Sequence, residues 1–96
     1  MEKLTQEQIE SRLSHLDGWS LLNDSISRTY QFGDFLEAMR FVNRVAEAAE
    51  TAQHHPDILI RWNKVTLTFS THDAGGITNK DFEMATQTDR LATETE

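Results

Sequence analysis

Three of the four histidines of this chain fall in two short polar segments. Glu50, His54 and His55 occur in the stretch ETAQHHPD, and His72 occurs later in STHD. Histidine can accept or donate a proton near neutral pH, and two histidines in different surroundings can act as acid and base. Such a pair suits an elimination of water, in which one group protonates the departing hydroxyl and the other accepts a proton.

The surroundings of the histidine pair allow several interpretations. Glu50 lies four residues before His54, so a helix that continues this far would place both on one face, where the carboxylate would orient the imidazole. The negative end of the helix dipole would favour the protonated ring. The same residues also suit an ordinary helix C-terminus that Pro56 ends. Three histidines could alternatively hold a zinc ion with an open position if the backbone bends at Pro56.

Two helices are predicted in the first half of the chain. Thr5 and Gln8 make a capping box ahead of apolar residues at helical spacing, which predicts a helix over 6–16. Asp34 can cap a second helix of about 18 residues with an apolar stripe along one side. This long helix should end just before the histidine pair, because Pro56 restricts the residue before it and cannot continue a helix cheaply.

A third helix is predicted near the C-terminus, with Asp81 in its first turn. Thr78 and Asp81 make a capping box, and Ile77 and Phe82 make a hydrophobic staple. The helix should cover 79–91, and the final ATETE should be frayed. By this interpretation Asp81 is simply the capping residue of its helix.

Two hairpins are predicted between the helices. The first turns at Asn23-Asp24 and the second at Asn63-Lys64, and the strand after each turn alternates apolar and polar residues. Arg28 is the exception on the apolar face of the first hairpin. The second hairpin ends in STHD, which places His72 at the end of its last strand. The order is α-β-β-α-β-β-α, which predicts an α+β fold with a four-stranded antiparallel sheet and helices on one face.

Composition restricts the class of protein. The chain has 96 residues, a formal net charge of −7 and no cysteine. The length predicts a single domain over 1–96. The acidic charge disfavours nucleic-acid binding, and the lack of cysteine excludes a disulfide framework, a thiolate nucleophile and a Cys-ligated metal. No apolar run approaches the ~20 residues of a membrane span, and the N-terminus is unlike a secretory signal, so a soluble cytoplasmic protein is expected.

Several short motifs form a pattern that is far more specific than any one of them. They are E-T-A-Q-H-H-P at 50–56, W-N-K-V at 62–65, S-T-H-D at 70–73 and G-I-T-x-x-D at 76–81, with G-W at 18–19 and Y-x-F at 30–32 upstream. Together they resemble the pterin-4a-carbinolamine dehydratase family, from about Leu4 to Leu91. The resemblance implies the α+β fold with a four-stranded antiparallel sheet. It also implies dehydration of 4a-hydroxytetrahydropterin to quinonoid dihydropterin, which recycles the tetrahydrobiopterin cofactor of aromatic amino-acid hydroxylases.

Carried over by position, the resemblance implies a role for each candidate residue. His54 and His72 would be the acid/base histidines, in an order that the sequence leaves open, and Glu50 would support the histidines. His55 would mainly bind and place the pterin. The expected catalytic residues are therefore His54, His72 and Glu50, and the expected substrate-binding residues are His55, Asp81 and Trp19.

The resemblance also bears on cofactors and partners. It implies a small-molecule pterin substrate and neither a metal nor an organic cofactor. Relatives form dimers and tetramers through helix packing and sheet edges, so a homodimer or homotetramer is expected, with an aromatic amino-acid hydroxylase as a possible member of the same pathway. The alternative on this fold is a non-catalytic dimerisation or assembly-partner module, since some relatives have such roles. The three histidines argue against a purely degenerate scaffold.

Overall fold

The computed structural model describes residues 2–95 and has the predicted α+β architecture. Its elements follow the predicted order, with one short 3-10 turn added before the last helix. They are α1 (Gln6–Leu13), β1 (Ser20–Leu22), β2 (Ser25–Gln31), α2 (Phe35–Ala52), β3 (Asp57–Arg61), β4 (Lys64–Phe69), the 3-10 turn (His72–Ala74) and α3 (Asn79–Thr95).

The four strands form one antiparallel sheet in the order β1-β2-β4-β3. The two central strands bury alternate residues against the helices, as Tyr30 and Leu67 show. Their other face carries hydroxyl pairs, such as Thr29 with Thr66 at 2.7 Å between the Oγ1 atoms. The period of two therefore separates an apolar face under the helices from a polar open face.

The core lies between this apolar face and the packed helices α2 and α3. Asp34 caps α2 as predicted, since its side chain accepts the backbone N–H of Glu37 at 2.8 Å. The stripe of α2 that enters the core consists of Ala38, Phe41, Val45 and Ala49, all nearly inaccessible to solvent. A well-packed α2 fixes where its C-terminus, and so the histidine pair, meets the sheet.

The first and last helices of the chain, α1 and α3, differ in length from the prediction. Helix α1 ends at Leu13 rather than at residue 16, because the next amides form three-residue turns such as His15 N–H to Arg12 O at 3.2 Å. Helix α3 continues to Thr95, so the predicted fraying is wrong for residues 92–95, and Glu96 lies outside the described residues. Ala92 is buried there, and its packing supplies the burial that a frayed end would lack.

The turn of the second hairpin lies one residue earlier than predicted. Trp62 and Asn63 form it, and Trp62 has a left-handed φ of 53°. Asn63 is buried, and its side-chain Nδ2 donates to the carbonyl of Phe32 at 2.8 Å. This bond ties the turn to the segment just before α2. Among residues 2–95, none of the helices is both long and apolar enough to span a bilayer.

Candidate active site

The C-terminus of α2 ends in a left-handed turn that redirects the histidine pair. Gln53 has φ 52° and ψ 44°. The N–H of Gln53 donates to the carbonyl of Glu50 at 3.3 Å, and the N–H of His54 donates to that of Ala49 at 3.1 Å. These two bonds make a Schellman motif, with a glutamine at the position that usually holds glycine. His54 therefore leaves the helical face on which Glu50 lies.

His54 turns inward and contacts the first turn of α3. Its side chain is 9% exposed, and its ring stacks parallel to that of Phe69, with 6.2 Å between the centroids. Its Nε2 lies 2.5 Å from Oδ1 of Asp81, whose side chain is fully buried. The other carboxylate oxygen accepts the hydroxyl of Thr71 at 2.8 Å and the N–H of Thr78 at 2.9 Å. Asp81 thus caps its helix as predicted and also holds an imidazole 27 residues away in sequence.

Glu50 pairs with His55, and the predicted pairing with His54 is wrong. The carboxylate Oε2 contacts Nε2 of His55, and both side chains are largely exposed. The physical reason is the left-handed residue at 53, which breaks the i to i+4 relation on which the prediction depended. The two adjacent histidines consequently bind two different carboxylates, one buried and one exposed.

Two adjoining pockets lie where the histidines meet the rim of the sheet. His55 and His72 line one pocket of about 260 Å³, and His54 and Thr71 line the next, of about 240 Å³. The consecutive residues 54 and 55 line different pockets, and so do residues 71 and 72. The two pockets therefore lie on either side of these two short segments. His72 lies in the 3-10 turn after β4 rather than at the strand end. The structure thus brings all three predicted histidines to one rim.

Other residues of the first pocket were missed by the sequence reasoning. They come from the first hairpin turn, the start of β3 and the end of β4, and they are Asn23, Asp24, Ser25, Asp57, Thr68 and Ser70. The predicted hairpins could have indicated these residues, because antiparallel pairing of the two hairpins brings the first turn next to the end of the last strand. Within residues 2–95, no group of three or more His, Asp and Glu side chains is arranged to hold a metal ion.

Trp19 lies behind the site and lines neither pocket. Its ring is buried and packs at a tilt against Phe69, with 5.9 Å between the centroids, so it contacts the residue on which His54 stacks. Its Nε1–H donates to Asp89 at 3.1 Å. The structure therefore gives Trp19 an indirect contact with the histidine, and its substrate-binding role stays a prediction.

Asp89 also explains why Arg28 interrupts the apolar pattern of β2. Its carboxylate accepts Nη1 of Arg28 at 2.8 Å and the hydroxyl of Tyr30. The guanidinium lies 4.6 Å from the centre of the Tyr30 ring, where a cation–π contact is favourable. Burial and, after it, the bond to Asp89 raise the pKa of Tyr30. This cluster joins β2 to α3.

A family model decides what kind of protein carries this site. The model for pterin 4 alpha carbinolamine dehydratase matches residues 2–91. The chain belongs to this family. Among curated members of the pterin-4a-carbinolamine dehydratase family, a protein of Acidobacterium capsulatum is 53% identical over 95% of this chain and 99% of its own length. One from Nocardia farcinica is 54% identical over 95% and 96%. Both names assign the dehydratase provisionally.

Solved structures of the pterin-4a-carbinolamine dehydratase type share the fold. The transcriptional coactivator/pterin dehydratase of Brucella melitensis superposes with a TM-score of 0.91, at 33% identity over 95% of this chain and 99% of that one. A pterin dehydratase-like protein, described as a RuBisCO assembly factor of the alpha-carboxysome, gives a TM-score of 0.64 at 20% identity over 77% and 86%. The second likeness shows the fold alone.

Proposed function

We propose that this protein is a 4a-hydroxytetrahydropterin dehydratase, which releases water and forms quinonoid dihydropterin. The observation that carries the proposal is the convergence of His54, His55 and His72 at one rim, in a chain that belongs to the dehydratase family. A hydro-lyase of this kind needs one group to give a proton and another to take one, and histidine does both near neutral pH.

In the proposed reaction, His54 and His72 form the acid/base pair. A ring-nitrogen lone pair of the substrate expels the 4a-hydroxyl, one histidine protonates that hydroxyl, and the other removes a proton from the ring system. The two side chains have different surroundings, since His54 is buried against Asp81 and His72 is exposed. Different surroundings allow two like groups to divide these tasks. Positioned acid/base catalysis contributes about 10²–10⁴-fold, which is enough for a reaction that also proceeds unaided.

The first pocket offers acceptors for the pterin ring. A pterin presents a 2-amino group and a neighbouring ring N–H along one edge, and carboxylates accept hydrogen bonds from such an edge. Asp24 and Asp57 line the pocket together with His55 and His72. We assign His55 the role of placing the pterin, with Glu50 holding its ring. Glu50 would then support catalysis through His55.

The direct test is decay of 4a-hydroxytetrahydropterin, generated by a phenylalanine hydroxylase and followed by absorbance. Folded protein should accelerate conversion to quinonoid dihydropterin in proportion to its concentration. A variant with its three rim histidines replaced by alanine, and with an unchanged circular dichroism spectrum, serves as the control. Equal decay with the wild type and without protein would overturn the proposal. The proposed role in recycling predicts that the protein sustains turnover of that hydroxylase.

We further propose that the protein forms a homodimer or homotetramer. Strand β3 is an edge of the sheet and exposes Leu59, while Trp62 in the adjoining turn is exposed as well. An exposed apolar edge strand offers unpaired backbone groups to another chain.

A second role as an assembly partner is supported by an exposed apolar patch that adjoins Trp62 and lies away from the histidines. Phe35 and Leu36 at the start of α2 are exposed, and the Phe32–Asn63 bond brings this segment near Trp62, at the sheet end opposite the histidines. A stoichiometric partner that co-purifies from native extract with the wild type, but not with Leu36→Glu, would support this role without affecting the dehydratase test.

A further inference from the structure

A chain of donors leads from the backbone of α3 to the buried carboxylate of Asp81. The N–H of Lys80 donates to Oγ1 of Thr78 at 3.2 Å, and the hydroxyls of Thr78 and Thr71 lie 2.9 Å apart. Each threonine has one hydroxyl proton. Because Thr71 gives its proton to Oδ2 of Asp81, Thr78 must donate to Thr71. The order of donors is therefore fixed, and all of them point toward the carboxylate.

The carboxylate at the end of this chain determines which nitrogen of His54 carries the proton when the ring is neutral. Oδ2 of Asp81 accepts two donors, from Thr71 and from the backbone of Thr78, and both oxygens of an ionised carboxylate are acceptors only. The remaining oxygen faces Nε2 of His54 at 2.5 Å, and a carboxylate oxygen requires a donor there. The neutral ring is consequently protonated on Nε2, which leaves a lone pair on Nδ1.

The backbone of Thr71 also anchors the loop that carries His72. Its N–H donates to the carbonyl of Gly76 at 2.9 Å, and its carbonyl accepts the N–H groups of Ala74 at 3.1 Å and Gly76 at 3.3 Å. The residue that orients Asp81 is thus held rigidly, and the next residue along the chain lines the first pocket. One threonine therefore connects the surroundings of the two histidines.

We propose that Thr71 is a positioning residue, which selects the Nε2–H tautomer of His54 through Asp81. Its hydroxyl neither contacts His54 nor needs to contact the substrate; it acts by fixing the carboxylate. The effect on turnover rests on the proposed dehydratase function, whereas the effect on the tautomer does not. With Nδ1 free to accept a proton, the neutral His54 is the base of the pair, and His72 is left as the acid.

The test compares Thr71→Val, which removes the hydroxyl at nearly constant volume, with Thr71→Ser, which keeps it. Thr29→Val is the matched control, because it removes a hydroxyl that pairs with Thr66 on the open face, away from both histidine pockets. Long-range ¹⁵N–¹H spectra of the imidazoles, recorded where the rings are neutral, report the tautomer of His54. Dehydratase kinetics on the same proteins report kcat and KM separately.

We expect a pure Nε2–H signal for His54 in the wild type, Thr71→Ser and Thr29→Val. In Thr71→Val we expect nitrogen shifts averaged between the two tautomers, because a carboxylate that has lost one of its donors holds Nε2–H less firmly. We expect kcat to fall on the order of tenfold or more in Thr71→Val with KM within twofold, and to recover in Thr71→Ser. An unchanged His54 signal in Thr71→Val overturns the proposal. If the valine variant does not fold, Thr71→Ala provides the same comparison without an added methyl group. If the wild type lacks dehydratase activity, the spectra alone decide.

Discussion

Replacing Asp81 by asparagine should reduce activity far more than it disturbs the fold. The amide oxygen can accept the bonds of Thr71 and Thr78, which are the two donors that fix this side chain. The amide nitrogen then faces Nε2 of His54 and donates a proton where the carboxylate accepted one. The imidazole must accept at Nε2 and carry its proton on Nδ1. The base of the proposed pair is lost although every heavy atom can stay in place.

The sizes of the two effects can be set from these contacts. The charge-assisted bond between Asp81 and His54 is replaced by a neutral one, and hydrogen bonds to charged groups contribute about 1.5–3 kcal/mol. Because a neutral bond worth about 0.5–1.5 kcal/mol remains, the net loss is about 1–1.5 kcal/mol, which lowers the Tm of a domain of this size by roughly 4–12 °C. A reversed tautomer of His54 removes the general base, and general acid/base catalysis as a whole contributes about 10²–10⁴-fold. We expect kcat to fall about 100-fold.

Stopped-flow decay of 4a-hydroxytetrahydropterin measures the fall in kcat, and thermal unfolding measures the fall in Tm. Asp34→Asn is the matched control, because Asp34 also accepts a backbone N–H at a helix start, and asparagine caps equally well there. It should leave kcat and Tm nearly unchanged. An Asp81→Asn protein with more than half of the wild-type kcat would refute the reasoning, since the tautomer of His54 would then be irrelevant to turnover.

Three further variants test other parts of the account. Glu50→Gln should raise KM severalfold by loosening His55 and should leave Tm unchanged, because an exposed pair contributes only about 0–1 kcal/mol; a lowered kcat at constant KM would contradict this. Burial, together with Asp89, raises the pKa of Tyr30, so above about pH 10 only the unfolded chain loses the phenol proton. The free energy of unfolding should therefore fall by up to ~1.4 kcal/mol per pH unit in that range. In urea titrations at alkaline pH, Tyr30→Phe should lack this dependence on pH. Leu59→Lys should shift sedimentation toward a monomer if β3 forms the proposed interface, and an unchanged oligomer would exclude that edge.

Short-range patterns were sufficient to predict most of the fold. Asp34 and the pair Asn23-Asp24 set a helix start and a turn through the chemistry of neighbouring residues alone, and both predictions are confirmed. The length of α3 was not predictable in the same way. Its last turn is polar in sequence, and what holds it is the burial of Ala92 in the folded chain.

The partners of the histidines depended on details that the sequence hides. A glutamine in a left-handed conformation at residue 53 cannot be recognised from its type, yet it decides that Glu50 meets His55 instead of His54. Arg28 on an apolar face was a visible signal that an acidic partner must exist. That partner, Asp89, lies 61 residues away, and only the packing of α3 on β2 identifies it.

We propose above that the rim histidines catalyse loss of water from a 4a-hydroxytetrahydropterin. The most direct measurement is stopped-flow absorbance of that decay with wild type, His54→Ala, His72→Ala and the remote control His15→Ala, each checked for folding. We predict acceleration by wild type and the control, and a fall of tenfold or more in either rim variant. Acceleration that survives both rim substitutions, or none with folded wild type, would contradict it.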